Sequence, residues 1–136
     1  MSQKKLEDVL KHGIYGTPDT LPEERKLFLG TISERVYLGL TNTQVRQRGI
    51  YQEAEALMKE KQDIHLHING FLSYPSYANY IQTANKYSVP FTIVNDGYDT
   101  PLGIVLAAAQ ALPQQDNIFI KDEDFYNDLP DNERES

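Results

Sequence analysis

Cysteine is absent from this chain, and that one absence removes disulfides, thiolate catalysis and thiolate-bound zinc together. Long apolar runs are missing too: none approaches the ~18 residues of a membrane span, and Met1-Ser2-Gln3-Lys4-Lys5 leads into no apolar signal core. Also missing are the G-x-S-x-G elbow, the phosphate-binding P-loop and the G-x-G-x-x-G dinucleotide fingerprint. No cofactor is therefore expected. Excess positive charge is lacking as well. The formal net charge is −7, with seven acidic residues from Asp122 onward against Arg134 alone. That segment carries −6 and leaves the rest near −1. A near-neutral body offers no broad basic face for nucleic acid, so neither nucleic acid nor membrane is expected as a partner.

What is present is ordinary for a globular chain. A length of 136 residues suits one domain, and 40% hydrophobic with 24% charged residues is a typical balance. The expected location is the cytoplasm. Residues 1–121 are expected to form the domain, and 122–136 an acidic, partly disordered tail.

Four β-type runs alternate with three helical patterns between Arg35 and Lys121: 36–40, 64–68, 91–94 and 118–120. Alternation of this kind implies a largely parallel sheet with helices packed on it. Before it, Lys4 to His12 reads as a short helix with Leu6, Val9 and Leu10 on one side. A loop punctuated by Gly13, Gly16, Pro18 and Pro22 follows, and residues 23–30 fit a helical turn or an extended approach equally well.

Thr41, Asn42 and Thr43 offer three N-caps for a helix with Ile50, Ala54, Leu57 and Met58 in register. Gly49 marks a kink in that helix or a later start. Ile64, Leu66 and Ile68 alternate with His65 and His67, which suggests a strand with one face only partly covered. Pro75 opens a helix with Tyr77, Tyr80, Ile81, Ala84 and Tyr87 along one stripe. Thr100-Pro101 then reads as a cap and first turn for a helix carrying Leu102, Val105, Leu106, Ala109 and Leu112.

The run Thr17-Pro18-Asp19-Thr20-Leu21-Pro22-Glu23-Glu24-Arg25, with Phe28-Leu29-Gly30 and Glu34-Arg35-Val36, resembles the signature of the YueI-like proteins of Gram-positive bacteria. Ile68-Asn69-Gly70, Ser76-Tyr77, Tyr80-Ile81-Gln82, Val89-Pro90-Phe91 and Thr100-Pro101-Leu102-Gly103 extend it to about residue 121. The resemblance implies a fold and no activity. That fold is α/β, classifiable as α+β: a single three-layer sandwich whose four-stranded, mainly parallel or mixed sheet is flanked by helices. It is similar in outline to L7Ae/L30e proteins and Bacillus-type chorismate mutase. A mixed sheet would set 118–120 antiparallel to its neighbours. Asn42-Thr43-Gln44-Val45-Arg46 also resembles the helix opening of L7Ae-type RNA binders, with Thr43 and Gln44 departing from its acidic position.

Parallel strands gather ligands at their carboxyl ends. The candidate ligand residues there are Asn42, Thr43, Asn69, Tyr74, Asn95, Asp96 and Thr100, converging from three βα turns. Three well-formed turns and nothing more would explain the same residues. Turn residues away from a core rarely cost more than about 1 kcal/mol on truncation, so Asn69→Ala and Asp96→Ala are expected to spare stability. Arg35 and Arg46 are candidates for an anion site; an ion-pair network of Arg25, Arg35, Arg46 and Arg48 with Glu23, Glu24 and Glu34 is the alternative. His65 and His67 have the spacing of an H-x-H metal pair but no evident third ligand, and no metal is expected. Nine tyrosines, several along the 77/80/87 stripe, suggest a homodimer through that helix face or a helix lying on the sheet.

The leading expectation is a non-enzymatic binding or regulatory module for an unknown small molecule or protein, with its pocket at the strand ends. An enzyme acting on a small metabolite and an L7Ae-like RNA-binding module are the alternatives.

Overall fold

The computed structural model describes residues 21–95, 100–113 and 117–128. The expected helix at 4–12, the loop before residue 21, the 96–99 turn with Asp96, and the tail from Leu129 lie outside them. Within them, a four-stranded mixed sheet is packed on both faces by five helices.

Helix α1 (Leu21–Leu27) resolves the open choice at 23–30 as helix. It ends where Leu29 and Gly30 turn left-handed, with Gly30 N–H donating to the Arg25 carbonyl at 2.7 Å. A 3-10 turn (Ser33–Arg35) leads into β1 (Val36–Thr41). Thr41 then caps α2 (Asn42–Arg46) through a capping box: its hydroxyl accepts from Gln44 N–H while the Gln44 side chain accepts from Thr41 N–H. At φ +80° Gly49 breaks the pattern, and α3 (Gln52–Glu60) starts afresh. The single helical stripe is thus two helices.

Strand β2 (Ile64–Asn69) shows the expected alternation, with His65 and His67 half-buried. Helix α4 (Tyr74–Lys86) opens with Pro75 in its first turn. Tyr77, Tyr80, Ile81 and Ala84 are buried against the sheet, and Tyr80 is 0% exposed. That corrects the dimer expected through Tyr77, Tyr80 and Tyr87: the first two belong to the core, and half-buried Tyr87 donates its hydroxyl to Glu55 at 2.9 Å. The rings are covered by the protein's own sheet.

After β3 (Phe91–Val94) comes the largest departure. Leu102–Ala108 is a strand, β4, rather than the helix that its stripe suggested. All seven residues are buried, because β4 lies in the sheet interior with layers on both faces. A strand covered on both sides loses its alternation and becomes a plain apolar run, which periodicity cannot tell from a helix. The sheet order is β1-β4-β2-β3, with β4 antiparallel to both neighbours and β2 parallel to β3. The register aligns Leu38, Leu106 and Leu66 in one row, and Leu40, Ile104 and Ile68 in the next. These rows meet α2, α3 and α4. Gly103 allows the approach, since a Cβ there would lie 2.7 Å from Val45 Cγ2.

Residues 118–120 are not the fourth strand. They make one parallel bridge, Phe119 to Gly39, with Gly39 N–H donating to the Ile118 carbonyl at 2.8 Å. Ile118 and Phe119 form a second core with Phe28, Leu29 and Phe125 on the opposite face, while Ile120 packs against the first. Phe125 belongs to α5 (Glu123–Asn127) and is fully buried. Described structure therefore continues past 121, through α5 to Asp128. Asp122 caps α5 at Phe125 N–H, and Asp128 accepts from Thr43 N–H at 2.8 Å at the start of α2. Two acids read as tail are helix caps.

Candidate functional site

Strands β1, β2 and β3 point the same way, so their carboxyl ends share one edge with the start of β4. There the structure brings Asn42, Asn69 and Thr100 together around the entry to β4. The Asn42 amide donates to the Thr100 carbonyl at 3.1 Å, and the Asn69 amide to the Leu102 carbonyl at 3.1 Å. Asn69 Oδ1 accepts from Phe71 N–H at 2.9 Å. The Thr100 hydroxyl donates to the Leu27 carbonyl at 2.7 Å and accepts from Leu102 N–H. Thr43 turns instead to Asp128. Tyr74 is 58% exposed and edges onto Tyr77, and Asn95 is exposed beside the Gly70 backbone. Most polar atoms on this edge are committed to the chain's own backbone; among the described residues buried Asn42 Oδ1 has no hydrogen-bond partner.

A different arrangement occupies the opposite sheet face. Ala107 of β4 is in register with Val36 of β1 and with His65 of β2. Beside this row lies an open depression of about 430 Å³, lined among others by Arg25, Thr31, Arg35, Asp63, His65 and His67. Arg35 ends the 3-10 turn immediately before β1. Among the described residues its buried Nε has no hydrogen-bond partner. Of the acids expected to pair with the arginines, Glu34 is absent from the lining and Glu24 is engaged elsewhere. Glu24 accepts from Ser33 N–H at 2.7 Å and from its hydroxyl at 2.8 Å. Arg25 donates to the Gly30 carbonyl, and the ion pair found among the described residues is Lys86–Glu55 at 3.9 Å. Arg46 is exposed in the last turn of α2, away from the depression, so the two anion candidates do not converge.

The histidine rings lie 4.8 Å apart between centroids. Burial lowers the His65 pKa; burial and then His65 push His67 down to about 4. Both rings are neutral at pH 7, and His65 Nε2 shares a hydrogen bond with the Thr92 hydroxyl at 2.8 Å. Among the described residues no group of three His, Cys, Asp or Glu side chains is placed to hold a metal. The chemistry on offer is fixed positive charge from two guanidiniums beside neutral imidazoles, with one carboxylate, Asp63, that accepts from the Tyr37 hydroxyl at 3.2 Å. That combination accommodates an anion.

Sequence reasoning named Arg35 but not the histidines as its neighbours. An arginine just before a strand and an H-x-H on a half-covered strand were both visible. Their meeting depends on β4 lying between β1 and β2.

The sequence model of the family described as Protein of unknown function (DUF1694) matches residues 3–118. The chain belongs to the DUF1694 family. Among similar proteins, "Uncharacterized protein YueI" of Bacillus subtilis (strain 168) is 48% identical over 128 residues, covering 93% of this chain and 96% of that protein. The crystal structure of the YueI protein from Bacillus subtilis superposes with a TM-score of 0.82 at 44% identity, covering 93% of this chain and 99% of that one. The DUF1694 fold is thus the mixed four-stranded sandwich described above. Among the described residues no helix is long and apolar enough to cross a membrane.

Proposed function

We propose that this DUF1694 protein is a non-enzymatic cytoplasmic module that binds a small anion in the depression beside Arg35. One observation carries the reading: a guanidinium with a buried Nε that is unpartnered among the described residues, on an arginine that lines an open depression with Arg25, Asp63, His65 and His67. A buried donor without a partner costs about 1–3 kcal/mol, more for a charged group. An anion would satisfy it. Binding rather than catalysis is favoured by His67, whose pKa of about 4 is far from the neutral value that efficient acid–base chemistry uses.

A thermal-shift titration with inorganic phosphate, sulfate and small dicarboxylates tests the reading. An anion at about one hundred times its dissociation constant adds ~2.7 kcal/mol to stability, a rise of several degrees for a domain of this size. Arg35→Met is expected to abolish that rise. An undiminished rise in Arg35→Met, or no rise with any of the anions, defeats the proposal.

A second reading keeps a ligand at the carboxyl edge with Asn42, Thr43, Asn69, Tyr74, Asn95, Asp96 and Thr100. Buried, unpartnered Asn42 Oδ1 favours it. A ligand whose thermal shift is lost in Asn42→Leu and retained in Arg35→Met would select this reading.

A further inference from the structure

The two edges of the sheet are finished differently. At the β1 edge, Gly39 donates to the Ile118 carbonyl and bridges to Phe119, so the chain covers its own strand. At the other edge, among the described residues, β3 pairs with β2 alone. The Pro90 and Val94 carbonyls accept from Leu66 and Gly70, each at 2.9 Å. The alternation of a parallel ladder then aims the N–H and C=O of Phe91 and Ile93 away from β2. Among the described residues none of these four groups has a hydrogen-bond partner.

Folded proteins guard such edges with charged side chains, prolines within the strand or bulges, because an unguarded edge pairs with another chain. Phe91-Thr92-Ile93-Val94 carries none of these, and its β2 register is unbroken. Phe91 and Thr92 are exposed.

We propose that β3 is a homodimer edge, pairing antiparallel with β3 of a second copy to make one continuous eight-stranded sheet. The strand is complementary to itself. A two-fold axis perpendicular to the sheet through Thr92 sets Phe91 opposite Ile93 of the second copy, and Ile93 opposite Phe91 of the second copy. All four outward N–H groups and all four outward carbonyls then find partners, giving four hydrogen bonds. The two faces match as well. Phe91 and Ile93 stand opposite Leu66 and Ile68 in the ladder and share the helix-covered face, so the pairing creates two aromatic–β-branched contacts there. Thr92 meets Thr92 of the second copy on the histidine face as a non-hydrogen-bonded pair, where side chains approach most closely. A heterologous strand would have to reproduce this pattern; a second copy has it already. The proposal is independent of the anion site.

Three paired residues from each copy make a small interface, so association is weak and concentration-dependent. Sedimentation of the full chain should give a mass that rises from one copy at about 1 µM to two copies at about 300 µM. Phe91→Pro removes an outward donor while leaving the β2 ladder intact, since that N–H faces away from β2. It should keep the wild-type circular dichroism and stay monomeric throughout. Thr92→Lys, which sets like charges opposite each other, should also be monomeric; Gln82→Lys on the exposed side of α4 should dimerise as wild type. Because the chain has no cysteine, Thr92→Cys is a unique reporter and should form an intermolecular disulfide under mild oxidation. Gln82→Cys should not. A chain that stays monomeric at 300 µM, a dimer that survives Phe91→Pro and Thr92→Lys, or a dimer that Thr92→Cys fails to link overturns the proposal.

Discussion

The carboxyl edge of the sheet and the depression on its face are built from similarly polar residues, yet they differ in what those residues hold. At the edge, Asn42, Asn69 and Thr100 bind the backbone that carries the chain into β4. At the depression, the Arg35 Nε is buried with nothing to bind. A polar side chain whose hydrogen bonds are met within the fold is a brace. One left unmet in a concave place is strained in the free protein and relieved by a ligand. The distinction lies in the bonding, since the residue types alone suggest a site in both places.

Asn69→Ala probes the brace and should produce the largest effect. Asn69 is 4% exposed and makes two backbone hydrogen bonds, one from its amide and one to its carbonyl oxygen. Truncation leaves the Leu102 carbonyl and the Phe71 N–H without these partners, a loss of about 2–4 kcal/mol by the usual cost of each. This prediction replaces the expectation that the turn residue spares stability, because the Asn69 side chain is itself buried. Urea denaturation should show the loss, with anion affinity unchanged once the protein is folded. A loss below 1 kcal/mol would erase the contrast between the two regions.

The pH response probes the depression and should be somewhat smaller. An unfolded histidine titrates near 6.5 and His67 near 4 in the folded protein. Between those values the unfolded chain binds more protons, so stability falls as pH falls through that window, and the loss is complete below about 4. Allowing for the solvent that reaches a half-buried ring, the loss is on the order of 2 kcal/mol. His67→Gln should flatten the profile over that window. A bound anion favours the protonated ring, so sulfate, whose charge is constant over the window, should bind more tightly at pH 5 than at pH 7. Equal sulfate affinity at both pH values would separate the histidines from the site. Below pH 4 Asp122 adds a loss of the same sign. Burial raises its pKa, but hydrogen bonds from Tyr51, Phe125 N–H and Gln44 outweigh this and hold it low.

How far the sequence reaches follows the same physical line. Strand β2 and helix α4 were legible because each has one covered face, which writes a period into the chain. Strand β4 was not, because burial on both faces erases the period that would have distinguished it. Ile118-Phe119-Ile120 has the composition of a strand, yet it makes a single bridge and packs Ile118 and Phe119 into the second core. The carboxyl edge was legible as a gathering of polar turns. That Asn69 holds the Leu102 carbonyl was not, since it requires knowing that 102 begins a strand running back between β1 and β2. The meeting of Arg35 with His65 and His67 was hidden by the same missing strand.

The smallest expected effect is the sharpest, because its sign is unusual. Most substitutions of a half-buried side chain destabilise, whereas Arg35→Met should leave the free protein about 1 kcal/mol more stable. Methionine keeps the length and the apolar stem of the arginine while removing a charge and a buried Nε that lacks a hydrogen bond. Glu24 is not released by the change, because it is bonded to Ser33 rather than to Arg35. The thermal midpoint of the anion-free protein should therefore rise by a few degrees, and the anion-dependent rise should vanish in the same variant. Stability gained together with binding lost is the trade expected where a site is held in an unsatisfied state for its ligand. If Arg35→Met destabilised the free protein by 1 kcal/mol or more, the guanidinium would be a brace like Asn69. The difference between the two regions would then be one of degree only.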